Sequence, residues 1–199
     1  MPAALPPDLV LRDMRPDDLV AVHALNQDNV PAVGEESLSA LRALYAESAV
    51  ALVAERGGRL VAFCLALAPG ARYESPNYLY FANRRHDFLY IDRVAVRAGE
   101  RGRGVGAALY RAVAGRASAP WLTLEVNLEP LNEGSLRFHA REGFVEVARE
   151  ETRPGKPVCL MVKALGEAGG AGAGASVLAW ASPGARSAPP PPREKDTPP

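Results

Sequence analysis

The chain has little of several things that would fix a function at once. Only two cysteines occur in its 199 residues, Cys64 and Cys159, and both lie inside apolar runs. Neither has a Cys-x-x-Cys or Cys/His spacing suited to metal, so both read as small buried hydrophobes. The three histidines, His23, His86 and His139, are scattered without a ligand pattern. Charge of one sign is also missing. Lys and Arg number 23, Asp and Glu number 23, and the formal net charge is +0. No overall basic field recruits nucleic acid. No apolar run is long enough to span a bilayer, and the N-terminus lacks a basic region followed by an apolar core. These absences lead us to expect a cytoplasmic protein with no metal, no membrane and no nucleic-acid partner.

What is present suits one α/β domain with a sizeable core. Leu9 to Met14 alternates as a first strand, and Pro16 with two acids opens a helix behind it. Leu38, Leu41, Leu44 and Tyr45 mark a second helix over residues 37–47. Gly57-Gly58 between Val50–Glu55 and Arg59–Leu67 is a hairpin signal. Strands are expected at 88–96, 121–126, 144–149 and 158–163, and helices at 104–117 and 135–142, the last closed by Gly143. Residues 68–87 form a connection long enough to be a functional loop, dense in Tyr73, Tyr78, Tyr80 and Phe81. Residues 1–165 are expected to form the domain. Residues 166–199, Gly/Ala-rich and then Pro-rich, are expected to be disordered, with Leu178 and Trp180 as their contact points.

The most informative stretch is Ile91-Asp-Arg-Val-Ala-Val-Arg-Ala-Gly-Glu-Arg-Gly-Arg-Gly-Val-Gly106. A strand feeding glycines into a helix start builds an anion site. The backbone can come close, the first-turn amides are unpaired, and the helix dipole adds positive charge. Arg101 and Arg103 add full charges. A nucleotide-hydrolase phosphate loop would need a Lys-Ser/Thr that is absent here. Gly102, Gly104 and Ala107 fit a dinucleotide fingerprint, with Glu125 about 20 residues further on. However, Arg97 to Arg101 separate the strand from the glycines, and Glu125 falls inside a strand rather than at its end.

Arg101-Gly-Arg-Gly-Val-Gly106 resembles the coenzyme A pyrophosphate loop of the GNAT superfamily of acyl-CoA-dependent N-acetyltransferases. Asn132-Glu-Gly-Ser-Leu-Arg-Phe-His-Ala-Arg-Glu-Gly-Phe144 resembles that family's second motif, with His139 where many members have tyrosine. The resemblance covers roughly residues 9–164. It implies the GNAT fold, a mostly antiparallel splayed sheet flanked by helices in the order β-α-α-β-β-β-α-β-α-β-β. It also implies acetyl transfer from acetyl-CoA to a primary amine of a small molecule or peptide, by direct attack in a ternary complex. The cosubstrate would be held by Val94, Ala95 and Val96 of the strand, by Arg101, Gly102, Arg103, Gly104, Val105 and Gly106 of the loop, and by Asn132 and Ser135.

Asp92, placed with Tyr90, Val94 and Val96 on one strand face by period two, is the first candidate base, with Glu125 as the runner-up. His139 is the candidate acid for the leaving thiolate. Tyr73, Tyr78, Tyr80 and Asn127 would contact the acceptor. An exposed final strand would support a homodimer. Two other readings stay open from sequence, a non-catalytic acyl-CoA-binding module and a dinucleotide-dependent oxidoreductase.

Overall fold

The computed structural model describes residues 8–165 and Trp180. Apart from Trp180, the expectation of a disordered tail lies outside the described residues. Seven strands form one mixed sheet in the order β1-β2-β3-β4-β5-β7-β6. They are β1 (Leu9–Asp13), β2 (Val50–Arg56), β3 (Arg59–Leu67), β4 (Phe88–Val96), β5 (Trp121–Asn127), β6 (Val145–Arg153) and β7 (Lys156–Ala164). Every neighbouring pair is antiparallel except β4 and β5. The β2–β3 hairpin turns on Gly57 and Gly58, both at positive φ, as a two-residue turn between twisted strands requires.

Helices cover both faces. α1 (Leu19–Gln27), α2 (Leu38–Glu47) and α3 (Pro76–Ala82) lie on one side, and α4 (Val105–Ala114) and α5 (Glu133–Arg141) on the other. Val22, Leu25, Leu41 and Phe81 meet Phe63, Leu65 and Tyr90 beneath the first group. Leu109, Tyr110 and Val113 meet Ile91, Leu122 and Leu124 beneath the second. Ser37 caps α2, its Oγ accepting from Ala40 N at 3.1 Å. Asn132 caps α5, its Oδ1 accepting from Ser135 N at 3.1 Å.

Three features differ from the sequence reading. Residues 68–87 are not a bare loop, because Pro76 starts α3, which buries Tyr78 and Phe81. α4 stops at Ala114, short of residue 117. The third difference sits in β4. Arg93 pairs with Leu65 and Ile91 with Ala66, so Asp92 is an extra residue in the ladder. A bulge shifts the alternation by one. Leu89 and Ile91 face α4, and Val94 and Val96 face it too, while Tyr90 and Ala95 face the other side. The expectation that Tyr90, Asp92, Val94 and Val96 share one face is therefore corrected.

Candidate active site

β4 and β5 pair only over Phe88–Tyr90 and Trp121–Thr123. Beyond those residues the strands diverge, and a cavity of about 510 Å³ opens between them. From Ile91 to Val96 the β4 edge facing β5 has no strand partner, so its backbone groups are available to a ligand.

Two carboxylates stand at this split. Glu125 lines the cavity from β5. Asn77 Nδ2 donates to its Oε1 at 2.9 Å, and the Tyr90 hydroxyl donates to its Oε2 at 2.7 Å. Burial pushes the Glu125 carboxyl up to about 7, the charge of Asp92 adds to the rise, and the two hydrogen bonds oppose it. Asn77 is itself held, because its Oδ1 accepts from the Thr152 hydroxyl of β6. Asp92 also lines the cavity, but its side chain is only 5% exposed. Burial raises its carboxyl, against the pull of the Arg93 guanidinium, whose Nε lies 3.4 Å from Oδ2, and of the Tyr73 hydroxyl. Both acids line the same cavity.

Arg93 also ties down a cavity wall. It donates to Asn26 Oδ1 at 2.9 Å and to Gly34 O at 2.7 Å, and it pairs with Glu36 at 2.8 Å. These contacts anchor residues 30–35, which line the cavity together with Tyr73, Ser75, Asn77, Asn127 and Thr152.

On the α4/α5 side the cavity reaches Tyr110, Asn132, Ser135 and His139. His139 Nδ1 lies 2.8 Å from the Ser135 carbonyl, which can only accept, so Nδ1 carries the ring proton. Nε2, 2.8 Å from the Tyr110 hydroxyl, therefore accepts from it. Burial lowers the His139 pKa to about 4, and the ring is neutral at physiological pH. This revises its expected role as acid. The proton on this wall belongs to Tyr110, which burial keeps protonated.

At the head of α4, Gly104 takes φ +79 as the residue before the helix, a conformation that leaves the first-turn amides free for an anion. A Cβ on Gly106 would meet the Phe138 ring at 3.1 Å, so this glycine lets α5 pack against α4. Arg101 donates to Asn29 Oδ1 at 2.5 Å and to Val96 O at 3.3 Å. Arg103 is exposed and reaches Glu100 at 3.4 Å.

The predicted residues therefore separate. Asp92, Val94, Glu125, Asn127, Asn132, Ser135, His139 and Tyr73 meet at the cavity. Arg101, Gly102, Arg103, Gly104, Val105 and Gly106 form the turn at the α4 N-terminus. Ala95 and Val96 follow Val94 along the β4 edge, with the Ala95 side chain turned to the other face. Tyr78 and Tyr80 do not reach the cavity. The Tyr78 hydroxyl donates to Ala68 O at 2.9 Å from within the core, and Tyr80 lies under the Arg84 guanidinium. The sequence reading missed Asn77, Tyr90, Tyr110, Arg93 and residues 30–35 as site components. Only Tyr110, one helical turn past Gly106, carried a usable signal.

A family model described as "Acetyltransferase (GNAT) family" matches residues 19–144. Among solved structures, Ard1 from Thermoplasma volcanium is similar over 80% of this chain and 99% of its own, at 20% identity and TM-score 0.63. The ribosomal-protein-S18-alanine N-acetyltransferase from Escherichia coli is similar over 81% and 96%, at 16% identity and TM-score 0.62. The yncA protein from Salmonella typhimurium, determined with its cofactor acetyl-CoA, is similar over 82% and 98%, at 16% identity and TM-score 0.59. No curated protein matches the chain in sequence. Among the described residues, no helix is long and apolar enough to cross a membrane.

Proposed function

Because the chain belongs to the acetyltransferase (GNAT) family, we propose that it transfers the acetyl group of acetyl-CoA to a primary amine by direct attack in a ternary complex. The observation that carries this reading is the split between β4 and β5, an unpaired strand edge opposite a carboxyl group poised near neutrality. The residues present fit acetyl-CoA. The α4 head and Arg103 would hold its pyrophosphate, the β4 edge at Val94 its pantetheine arm, and Asn132 and Ser135 the far side of that arm. When bound, it supplies an activated thioester.

Glu125 takes the proton from the attacking ammonium, directly or through a water, and its pKa near 7 suits both capture and release. The backbone amide at Val94 faces the oxygen on which negative charge develops. The Tyr110 hydroxyl, whose proton rests on His139 Nε2, turns that proton to the leaving sulfur as the thiolate forms and is left hydrogen-bonded by neither ring nitrogen until it is reprotonated. Asp92, beside the Arg93 guanidinium, adds its charge to the rise at Glu125.

The test measures thermal stabilisation by acetyl-CoA beside NAD and NADP, followed by thiol release with an amine panel. A ligand that binds only the folded state raises the midpoint with concentration. Stabilisation by acetyl-CoA alone together with amine-dependent thiol release supports the reading. Stabilisation without turnover supports a binding module, and stabilisation by a dinucleotide overturns the assignment of the loop.

A further inference from the structure

The acceptor side of the cavity ends at the tip of the β6–β7 hairpin. Arg153 and Lys156 flank the turn residues Pro154 and Gly155 and are paired directly across the two strands. Both line the cavity. Like charges opposite each other in an antiparallel pair are destabilising. Among the described residues, neither Arg153 nor Lys156 has an ion-pair partner. Arg93, the third cation on the lining, differs in that its charge is balanced by Glu36 and Asp92.

Arg153 is also aimed. Its Nη2 donates to Ser75 Oγ at 3.2 Å, on the wall that carries Asn77. Thr152, next to it in sequence, holds Asn77 against Glu125. One wall therefore runs from the carboxylate at the split, past Asn77 and Thr152, to two cations at the mouth that lack an ion-pair partner among the described residues, Arg153 feeling the charge of Asp92 from a distance. Glu35 and Glu129 also stand on the lining, on the segment after α1 and on the turn before α5, so the negative charge at the mouth is on other elements than the hairpin.

We propose that Arg153 and Lys156, with Ser75, form an anion subsite for the acceptor, and that the acceptor is a small amine carrying a carboxylate or phosphate. This rests on the acetyltransferase reading and narrows its substrate class. The amine lies at Glu125 while the anion relieves the repulsion across the hairpin tip. A planar guanidinium suits either group, taking two of its oxygens at once.

The experiment compares kcat/KM for ω-amino carboxylates from glycine to six carbons, each beside its primary amide and the matching aminoalkyl phosphate. The parent protein, R153Q, R153Q/K156Q and the distant charge control R59Q are assayed, with stabilisation by acetyl-CoA confirming that each is folded and loaded. We expect the best anionic acceptor to exceed its amide by at least about tenfold, as one charge-assisted contact allows. That ratio should fall toward one in R153Q/K156Q and stay put in R59Q. Carboxylate and phosphate members then show which anion is preferred. Amides used as well as their acids, or a preference that survives R153Q/K156Q, overturns the subsite. Turnover of only anion-free amines overturns it while leaving the acetyltransferase reading intact. A protein that acetyl-CoA does not stabilise loses both.

Discussion

Glu125 sits between two opposing influences, burial that favours its neutral form and hydrogen bonds from Asn77 and Tyr90 that favour its charged form. A base must be deprotonated to work, so kcat/KM should rise as pH passes through about 7. In Glu125→Gln that limb should vanish and kcat should fall by roughly 10²–10⁴, the range for losing a general base. Asn77→Ala removes a bond to the charged form, so the limb should move to higher pH rather than disappear. A limb unchanged in both variants would assign the titration to another group. Tyr110→Phe keeps the ring and removes the hydroxyl proton that rests on His139 Nε2, so kcat should fall roughly tenfold or more with the KM for acetyl-CoA little changed. Steady-state kinetics with both substrates checks it. At this scale the sequence was half legible. Glu125 stood out as an acid within a strand and His139 through the resemblance of its motif, but Asn77 and Tyr90 become site residues only through pairings across 48 and 35 positions. Single-sequence periodicity holds no information about such pairings.

Elements formed by local rules were legible before the structure. The Gly57-Gly58 hairpin, the close of α5 before Gly143 and the glycine-led start of α4 all follow from turn chemistry. The elements that were misread are those set by tertiary contact. The bulge at Asp92 leaves no mark in the alternation of β4, yet it decides that Val94 rather than Tyr90 faces α4. α3 is seven residues long, too short for a helical period to declare itself. It is held instead by what packs on it. Trp180 belongs to that support, with its ring 5.8 Å from Phe81 of α3, 5.3 Å from Trp121 of β5, and beside the Arg85 guanidinium. It is buried, so this contact point of the tail packs against the domain itself. Trp180→Ala should cost about 3 kcal/mol, within the range for emptying a buried aromatic site, read as a lower urea midpoint at unchanged slope. An unchanged midpoint would mean that the tryptophan adds nothing to the fold.

Across the whole molecule, two buried groups on opposite walls of one cavity pull stability in opposite directions with pH. Folding raises Glu125 from 4.5 to about 7 and lowers His139 from 6.5 to about 4. Between about pH 7 and 4.5 the folded chain holds a proton on Glu125 that the unfolded chain has lost, so this group adds stability as pH falls and loses it as pH rises through 7. Between about pH 6.5 and 4 the unfolded chain binds a proton on His139 that the folded chain refuses, so this group removes stability as pH falls. Each shift is worth at most about 3 kcal/mol at 1.36 kcal/mol per unit. Over their shared window the two nearly cancel, and the parent protein should show little change from this pair. Single variants unmask the cancellation. Relative to the parent, Glu125→Gln should lose up to about 3 kcal/mol as pH drops from 7 to 4.5, because it lacks the proton uptake that offsets His139. His139→Gln should gain by a similar amount as pH drops from 6.5 to 4. Urea unfolding of the three proteins at half-unit steps tests this, and differences from the parent remove the common contribution of the other carboxylates. Curves that run parallel at every pH would mean that neither group is shifted by folding. The neutral histidine and the near-neutral carboxyl on which the proposed chemistry rests would then both have to be abandoned.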